Sequence, residues 1–470
     1  PFSVYNTSSP EQIEFLFSDA ANRIVVTERA FLERVLAVRE RVDSLEHIVL
    51  VDGEAEGAVA LEDLERAEPD GFDFEGTWRA LGGEDVLTLI YTSGTTGPPK
   101  GVQITHANMM AEWRALQAVF PTTPGGRVIS FLPSAHIADR WSTHYGGMLF
   151  GFTVTCCPDP GKVLELCPEV RPTVFGAVPR IWEKLKAALE PNLPGDPPWP
   201  RELGDAVRAK LGLDHAEWFV SGAAPIPVEV LEFFAGLGIP ICELWGLSET
   251  SCVATINPPD RIKIGTVGRA LPGIEVKLAG DGEVLVRGPI VMAGYRNQPE
   301  KTTEAIDQEG WLHTGDVGEI DQDGYLTIID RKKELIINAA GKNMSPANIE
   351  AALKASSPLI GQACVIGDRR PYNVALIVLD PDASAAFTRE HDLDADALGP
   401  LTSTEAVIDE VTAGVGRANE RLSRVEQVKR FKIIEGEWEP GGEELTPTMK
   451  LKRKPIADKY AEEIEALYLD

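Results

Sequence analysis

Along the first half of the chain, compact apolar runs alternate with stretches in which apolar residues recur at helical spacing. Val86 to Tyr91, Val128 to Leu132, Thr153 to Cys156, Thr173 to Phe175, Trp218 to Val220 and Ile239 to Leu244 predict buried strands. Between them, Pro179 to Leu189 and Val228 to Ala235 predict helices. Thr105 is placed to N-cap another, running through Met109, Trp113 and Leu116. This alternation implies a mostly parallel sheet with helices on both faces. The pattern changes after about Gly265. Glu275 to Val286 and Gly318 to Ile329 predict hairpins closed around Asp281-Gly282 and Asp323-Gly324, and a smaller α/β unit follows from Glu334. Asn192 to Pro200 is the most loop-like stretch. Glu319 to Gly324 approaches a calcium-loop pattern, but Glu and Asp330 stand where Asp and Glu are needed, so a plain hairpin turn is favoured.

Composition narrows the function classes. The chain has 470 residues and a net charge of −28, which argues against a general nucleic-acid binder. No window approaches the ~18 consecutive apolar residues of a membrane span. Pro1 to Ser9 lacks the basic start and apolar run of a secretory signal. The six cysteines form no C-x-x-C pair and mostly sit among apolar neighbours, which fits reduced thiols in a cytoplasmic setting. Against the acidic background, Arg331-Lys332-Lys333 and Lys450 to Lys454 stand out as basic clusters.

The strongest chemical signal is Tyr91-Thr92-Ser93-Gly94-Thr95-Thr96-Gly97-Pro98-Pro99-Lys100-Gly101, directly after a predicted strand. Glycines let a backbone approach a polyphosphate, hydroxyls add donors, and Lys100 supplies positive charge. The spacing is not that of a Walker loop. A flexible Ser/Thr/Gly linker is the plain alternative, but it has no reason to end a strand and carry a lysine just before a capped helix. Further along come Ser221-Gly222-Ala223-Ala224-Pro225, Leu244-Trp245-Gly246-Leu247-Ser248-Glu249-Thr250, Trp311-Leu312-His313-Thr314-Gly315-Asp316, Asp330-Arg331-Lys332-Lys333-Glu334 and Leu445-Thr446-Pro447-Thr448-Met449-Lys450. Taken singly, Glu249 reads as a solvated Glu, Trp245 as core, Asp316 as a turn residue and Lys450 as a solvated lysine. Their order lifts them.

In that order these segments resemble the motifs of the adenylate-forming superfamily, which includes acyl-CoA synthetases, luciferases and nonribosomal adenylation domains. The resemblance spans about Asp85 to Pro455. It implies an α/β fold: a large N-terminal domain (1–329) of parallel-rich sheets covered by helices, with β-hairpins. A hinge (330–333) and a smaller mobile α+β C-terminal domain (334–470) would follow. Thr92, Ser93, Gly94, Thr95, Thr96, Gly97 and Lys100 would cradle the phosphates of ATP. Gly222, Ala223, Ala224, Trp245, Gly246 and Ser248 would line the adenine side. Asp316 and Arg331 would hold the ribose. Thr92 and Glu249 would hold Mg²⁺, Lys450 would balance charge during adenylation, and Lys333 would be the hinge residue. The Gly341 loop would serve thioester formation after the C-terminal domain rotates. Leu132-Pro133-Ser134-Ala135-His136-Ile137-Ala138-Asp139-Arg140 resembles a segment of long-chain fatty acyl-CoA synthetases, with Asp139 where Glu is usual. It would place His136 near the acyl carboxylate; a satisfied histidine near a helix start is the plain alternative.

The expected activity is therefore ATP-dependent conversion of a fatty acid to acyl-AMP with release of pyrophosphate, then transfer to CoA. The expected partners are small molecules, namely fatty acid, ATP and CoA. Peripheral membrane contact is expected only for the greasiest substrates. A ligase for another carboxylic acid, one loading a carrier protein, and an inactive nucleotide-binding protein are the rival readings. The opening Pro1-Phe2-Ser3-Val4-Tyr5 resembles a point inside the family's N-terminal domain, so Arg23 to Thr27 is expected at an exposed sheet edge.

Overall fold

Thr105 caps its helix as its position predicts: the side chains of Thr105 and Asn108 each accept the other's backbone N–H. The helix, His106–Gln117, buries Met109, Glu112, Trp113 and Leu116. The structure, a computed structural model, describes residues 1–67, 71–92, 98–195, 197–337, 343–391, 401–446 and 449–469. Ahead of the capped helix stands an element the apolar pattern does not reveal. Val86–Thr92 and Lys100–Thr105 pair antiparallel, with Thr92 opposite Lys100. The glycine-rich segment thus joins two strands, and Gly294–Tyr295 adds a third beside Val102 and Gln103.

The other predicted strands form several small sheets. Val174–Ala177, Trp218–Ser221 and Ile241–Trp245 run parallel, and Thr255–Ile256 and Arg269–Ala270 extend that sheet antiparallel. Both predicted hairpins are present in one four-stranded antiparallel sheet made of Glu275–Leu278, Glu283–Arg287, Leu312–Ile320 and Leu326–Arg331. Thr153–Cys156 is a strand, but a largely exposed one rather than the buried one predicted. Among the described residues it pairs only with Arg127–Ser130, at the edge of a two-stranded sheet. Ile24–Thr27 is likewise the edge of a parallel sheet, with Ile24 and Val26 exposed.

Helices cover these sheets with aromatic contacts. Trp182, fully buried on Pro179–Leu189, packs edge-on against Phe175, Phe219 and Phe234. From Asp330 onward the chain builds its own core on the sheet of Ile360–Ile366, Asn373–Leu379 and Val428–Ile434, with Ile349, Leu353 and Val411 from the helices above it. A second cluster on that sheet joins Cys364, Leu376 and Val378 to Leu445 and Ile456. All six cysteines are free thiols, with Cys156 alone exposed. Among the described residues no helix is long and apolar enough to cross a membrane.

One core residue has a testable cost. Glu112 is fully buried and accepts a hydrogen bond from the Trp141 indole N–H. Burial pushes its carboxyl well above the usual range, so it folds neutral. In the unfolded chain it ionises near its ordinary value of 4.5, so Glu112 takes stability away as pH rises above that point. Glu112→Gln keeps the acceptor for Trp141 and removes the penalty. Its melting temperature should exceed that of the parent by a margin that widens from pH 5 to pH 8; a constant margin would contradict a neutral Glu112.

Candidate active site

Asp316 and Arg331 face each other across two antiparallel strands, so register alone makes them neighbours. Arg331 Nε lies 2.7 Å from Asp316 Oδ1, while the Trp245 indole N–H donates to Oδ2 at 2.9 Å. Asp316 is almost fully buried, and burial raises its carboxyl pKa against the opposing pull of Arg331 and Trp245. A carboxylate held by two donors on one side is oriented for polar ligand groups on the other.

Trp245 ends the strand Ile241–Trp245, and the chain beyond it is strained. Gly246 lies so close to the Cys252 carbonyl that a Cβ there would come within 2.0 Å of its oxygen. Glu249 follows on a single 3₁₀ turn, Ser248–Thr250, and both Ser251 and Cys252 then adopt positive φ. Such strain persists only where the surroundings enforce it. Here Met292 N–H binds the Glu249 carbonyl at 2.9 Å and Ser251 Oγ binds the Ile290 carbonyl at 2.7 Å. The carboxylate of Glu249 accepts from Tyr295 Oη at 2.8 Å, and Lys100 Nζ sits 4.0 Å from the centre of the Tyr295 ring. Lys100, Tyr295 and Glu249 thereby form one line from the glycine-rich segment to the Trp245 strand. Burial lowers the pKa of Lys100.

On the neighbouring parallel strand, Ser221 lies opposite Glu243, and Gly222, Ala223 and Ala224 follow at the strand's end. Gly222 abuts Leu244, and Ala223 takes φ of 69°. Glu243 lies two residues before Trp245 on one strand, hence on the same face. It is buried, its Oε2 has no hydrogen-bond partner among the described residues, and burial pushes its pKa to about 8.

Lys450 reaches this place from the far end of the chain. A bridge between Leu445 and Leu451 closes its loop; across it the Thr446 N–H donates to the Lys450 carbonyl and the Lys450 N–H donates to Thr446 Oγ1. Lys450 is exposed, yet its ammonium lies within electrostatic reach of Arg331, Asp316, Glu334 and Glu249. Burial lowers its pKa; Arg331 acts the same way, while Asp316, Glu334 and Glu249 oppose them. His136 shares the cleft. Its Nδ1 accepts the Ala138 N–H at 3.2 Å, which leaves the ring proton on Nε2 as a donor. Burial and the charge of Lys450 lower its pKa to about 4, so it is neutral at pH 7. His136 is thus both a helix cap and a neighbour of Lys450. Asp139 and Arg140 serve the scaffold: Asp139 accepts from Ser130 and Ser134, and Arg140 donates to Ser3 and Tyr145.

At the predicted hinge, Lys332 is pinned to Glu283 at 3.0 Å and to Asp281 at 2.5 Å, while Glu334 is held at 3.3 Å by Arg453. Lys333, exposed, lies between these two anchors. The structure therefore brings together Lys100, Trp245, Glu249, Asp316, Arg331, Lys450 and His136, with Thr92, Gly222, Gly246 and Ser248 on the same elements. Ser93, Gly94, Thr95, Thr96, Gly97 and Gly341 lie outside the described residues. Sequence reasoning missed Tyr295 and Glu243. The Gly294-Tyr295 pair had no distinguishing context, and Glu243 could have been found only as an acidic residue inside an apolar strand. Among the described residues no group of three or more His, Cys, Asp or Glu could hold a metal ion. Mg²⁺, however, typically takes one or two carboxylates plus substrate phosphates, and Glu249 fits that need.

Known families and proteins match nearly the whole chain. The AMP-binding enzyme model matches residues 2–296, and the AMP-binding enzyme C-terminal domain model matches residues 333–470. The chain is 51% identical to FadD11 of Mycobacterium tuberculosis over 452 residues, 88% of this chain and 79% of that protein. It is 36% identical to the long-chain-fatty-acid–CoA ligase FadD15 of the same organism over 504 residues, 99% of this chain and 83% of that protein. Among solved structures, ATP-bound MatB of Rhodopseudomonas palustris superposes with a TM-score of 0.71 at 25% identity, covering 98% of this chain and 83% of that one.

Proposed function

The chain belongs to the AMP-binding enzyme family and is an AMP-forming fatty-acid–CoA ligase, and from that premise we propose how its residues divide the work. A carboxylate is a poor acyl donor because its leaving group would be an oxide. Attack of the fatty acid oxygen on the α-phosphate forms a new O–P bond and breaks the α–β bridge, giving acyl-AMP and pyrophosphate. The thiol of CoA then attacks the acyl carbon; a C–S bond forms, the C–O bond to AMP breaks, and the thiol proton passes to solvent. Neither step needs a covalent protein nucleophile; positioning and charge carry the barrier.

What supports this reading most is Lys450, brought from the C-terminal end into the cleft of Asp316, Glu249 and His136. Its ammonium would balance the charge that develops between carboxylate and α-phosphate. Neutral His136, with its proton on Nε2, would donate to the acyl carboxylate and orient it. Asp316 and Arg331 would hold the ribose. Trp245 would present its face to adenine while its N–H keeps Asp316 in place. Thr92, Ser93, Gly94, Thr95, Thr96, Gly97 and Lys100 would take the phosphates. Mg²⁺ would be held by Glu249 and Thr92 and would supply further charge neutralisation there. Residues 1–329 and 334–470 would be the two domains, with the pivot at Lys333. A panel of acids of rising chain length, with CoA or a carrier-borne phosphopantetheine as acceptor, tests substrate and acceptor together. Long acids and CoA are expected to be preferred; preference for the carrier would overturn the assignment of CoA.

Glu243 completes the adenine side. Its Oε2, unpartnered and closed off from solvent here, would accept an N–H of the adenine exocyclic amine once nucleotide binding uncovers it. Glu243→Leu should raise KM for ATP by about tenfold, the effect of one lost hydrogen bond in a buried site, with a smaller change in kcat. Steady-state kinetics at varied ATP check this; unchanged KM with lower stability would make Glu243 a packing residue only.

A further inference from the structure

Among the described residues, three ion pairs join the helices of the first 329 residues to those that follow. Arg180 binds Asp380, Lys184 lies 3.1 Å from Asp382, and Arg421 binds Glu229. Arg180 and Lys184 lie one turn apart on Pro179–Leu189, and Asp380 caps the facing helix Pro381–Glu390. Arg180 stands in the first turn of its own helix, where the macrodipole disfavours a cation. Its neighbours there are Glu183, at 3.3 Å, and Asp380, whose other oxygen accepts the Ala383 N–H at 3.0 Å. The Arg180–Asp380 pair is the least exposed of the three.

A rigid path leads from this contact to the cleft. Asp380 directly ends the strand Asn373–Leu379. Leu376 and Val378 of that strand pack against Leu445 and Ile456, which flank the loop of Lys450. Whatever fixes Asp380 therefore fixes the place from which Lys450 reaches Asp316 and Glu249.

We propose that Arg180 and Lys184 are positioning residues for acyl-AMP formation, which seat the C-terminal part by gripping Asp380 and Asp382 and so carry Lys450 into the cleft. This rests on the reading of Lys450 as the adenylation lysine. Both side chains are engaged by Asp380 and Asp382 and not by the residues of the cleft, and the second step, thiol attack on acyl-AMP already formed, does not depend on their grip.

The test uses the full chain and two separate assays: single-turnover formation of acyl-AMP without CoA, and conversion of supplied acyl-AMP by CoA. The double variant R180Q/K184Q should form acyl-AMP about fivefold or more slowly, as partly exposed ion pairs allow. Its rate from supplied acyl-AMP should stay within about twofold of the parent, with an unchanged melting temperature. K184E should weaken the first step and K184E/D382K restore it, because the swapped charges rebuild a pair that caps nothing. Equal losses in both assays, an unchanged first step, or no restoration by the swap would overturn the proposal. A parent protein that forms no acyl-AMP would instead refute the functional reading beneath it.

Discussion

Lys450→Met is expected to slow acyl-AMP formation by about 10²–10³-fold, the usual loss when one preorganised donor to developing charge is removed. Two features make the effect large. The ammonium shares the cleft with Arg331, Asp316, Glu334 and Glu249, where desolvation already lowers its pKa, so its charge is held where the reacting oxygens would meet. And it lies within reach of two carboxylates, Asp316 and Glu249, while the nearby cations Arg331 and Lys100 are engaged by Asp316 and by Tyr295. Conversion of supplied acyl-AMP to acyl-CoA should change far less, because the O–P bond is already made. Stability should hardly move, since the loop is closed through the Lys450 backbone, bonded to the N–H and Oγ1 of Thr446, and not through the ammonium. Rapid-quench measurement of acyl-AMP with and without CoA separates the two steps. Equal losses in both would make Lys450 a structural residue.

The second large effect is expected at Asp316. Asp316→Asn keeps the side-chain shape and one acceptor, but it cannot receive two ribose hydroxyls as a carboxylate does. Two hydrogen bonds to a charged group contribute about 1.5–3 kcal/mol each, so KM for ATP should rise by about 10²-fold or more. The same substitution should leave the fold intact. Burial raises the Asp316 pKa, which means the ionised side chain costs stability above its ordinary value of 3.8. A neutral Asn removes that cost, so the melting temperature at pH 7 should stay level or rise while ATP binding collapses. Calorimetric titration with ATP beside a melting curve checks both halves. A variant that binds ATP normally would remove Asp316 from the site, and one that unfolds would make it a scaffold residue.

Much of the site was legible because its parts are short and local. The N-cap at Thr105, the hairpins at Asp281-Gly282 and Asp323-Gly324, and the glycine-rich segment after Val86–Thr92 each depend on a few neighbouring residues. Antiparallel register then made cross-strand partners of Asp316 and Arg331, two residues identified from separate motifs. What sequence could not show was long-range. The Trp245 N–H meets Asp316 across 71 positions, and Tyr295 meets Glu249 across 46. Both need elements from different sheets to converge, a strand on a strand in the first case and a strand on a 3₁₀ turn in the second, and no periodicity encodes that. Lys100–Thr105 was hidden because it follows two prolines and leads straight into a helix cap. Thr153–Cys156 was misjudged because an apolar run at a sheet edge reads like one in a core.

His136 shows how the plain and the functional reading of a residue can both hold. Its Nδ1 does the work of a helix cap, and this same bond leaves the opposite nitrogen as a donor in the cleft. A motif alone would not have told which nitrogen is free.

The most direct measurement is fatty-acid-dependent exchange of labelled pyrophosphate into ATP in the presence of Mg²⁺ and the absence of CoA. Exchange that appears with a long-chain acid, vanishes without it and is lost in Lys450→Met is the expected result. Exchange that is independent of the acid, or that survives loss of Lys450, would contradict an acyl-AMP formed in this cleft.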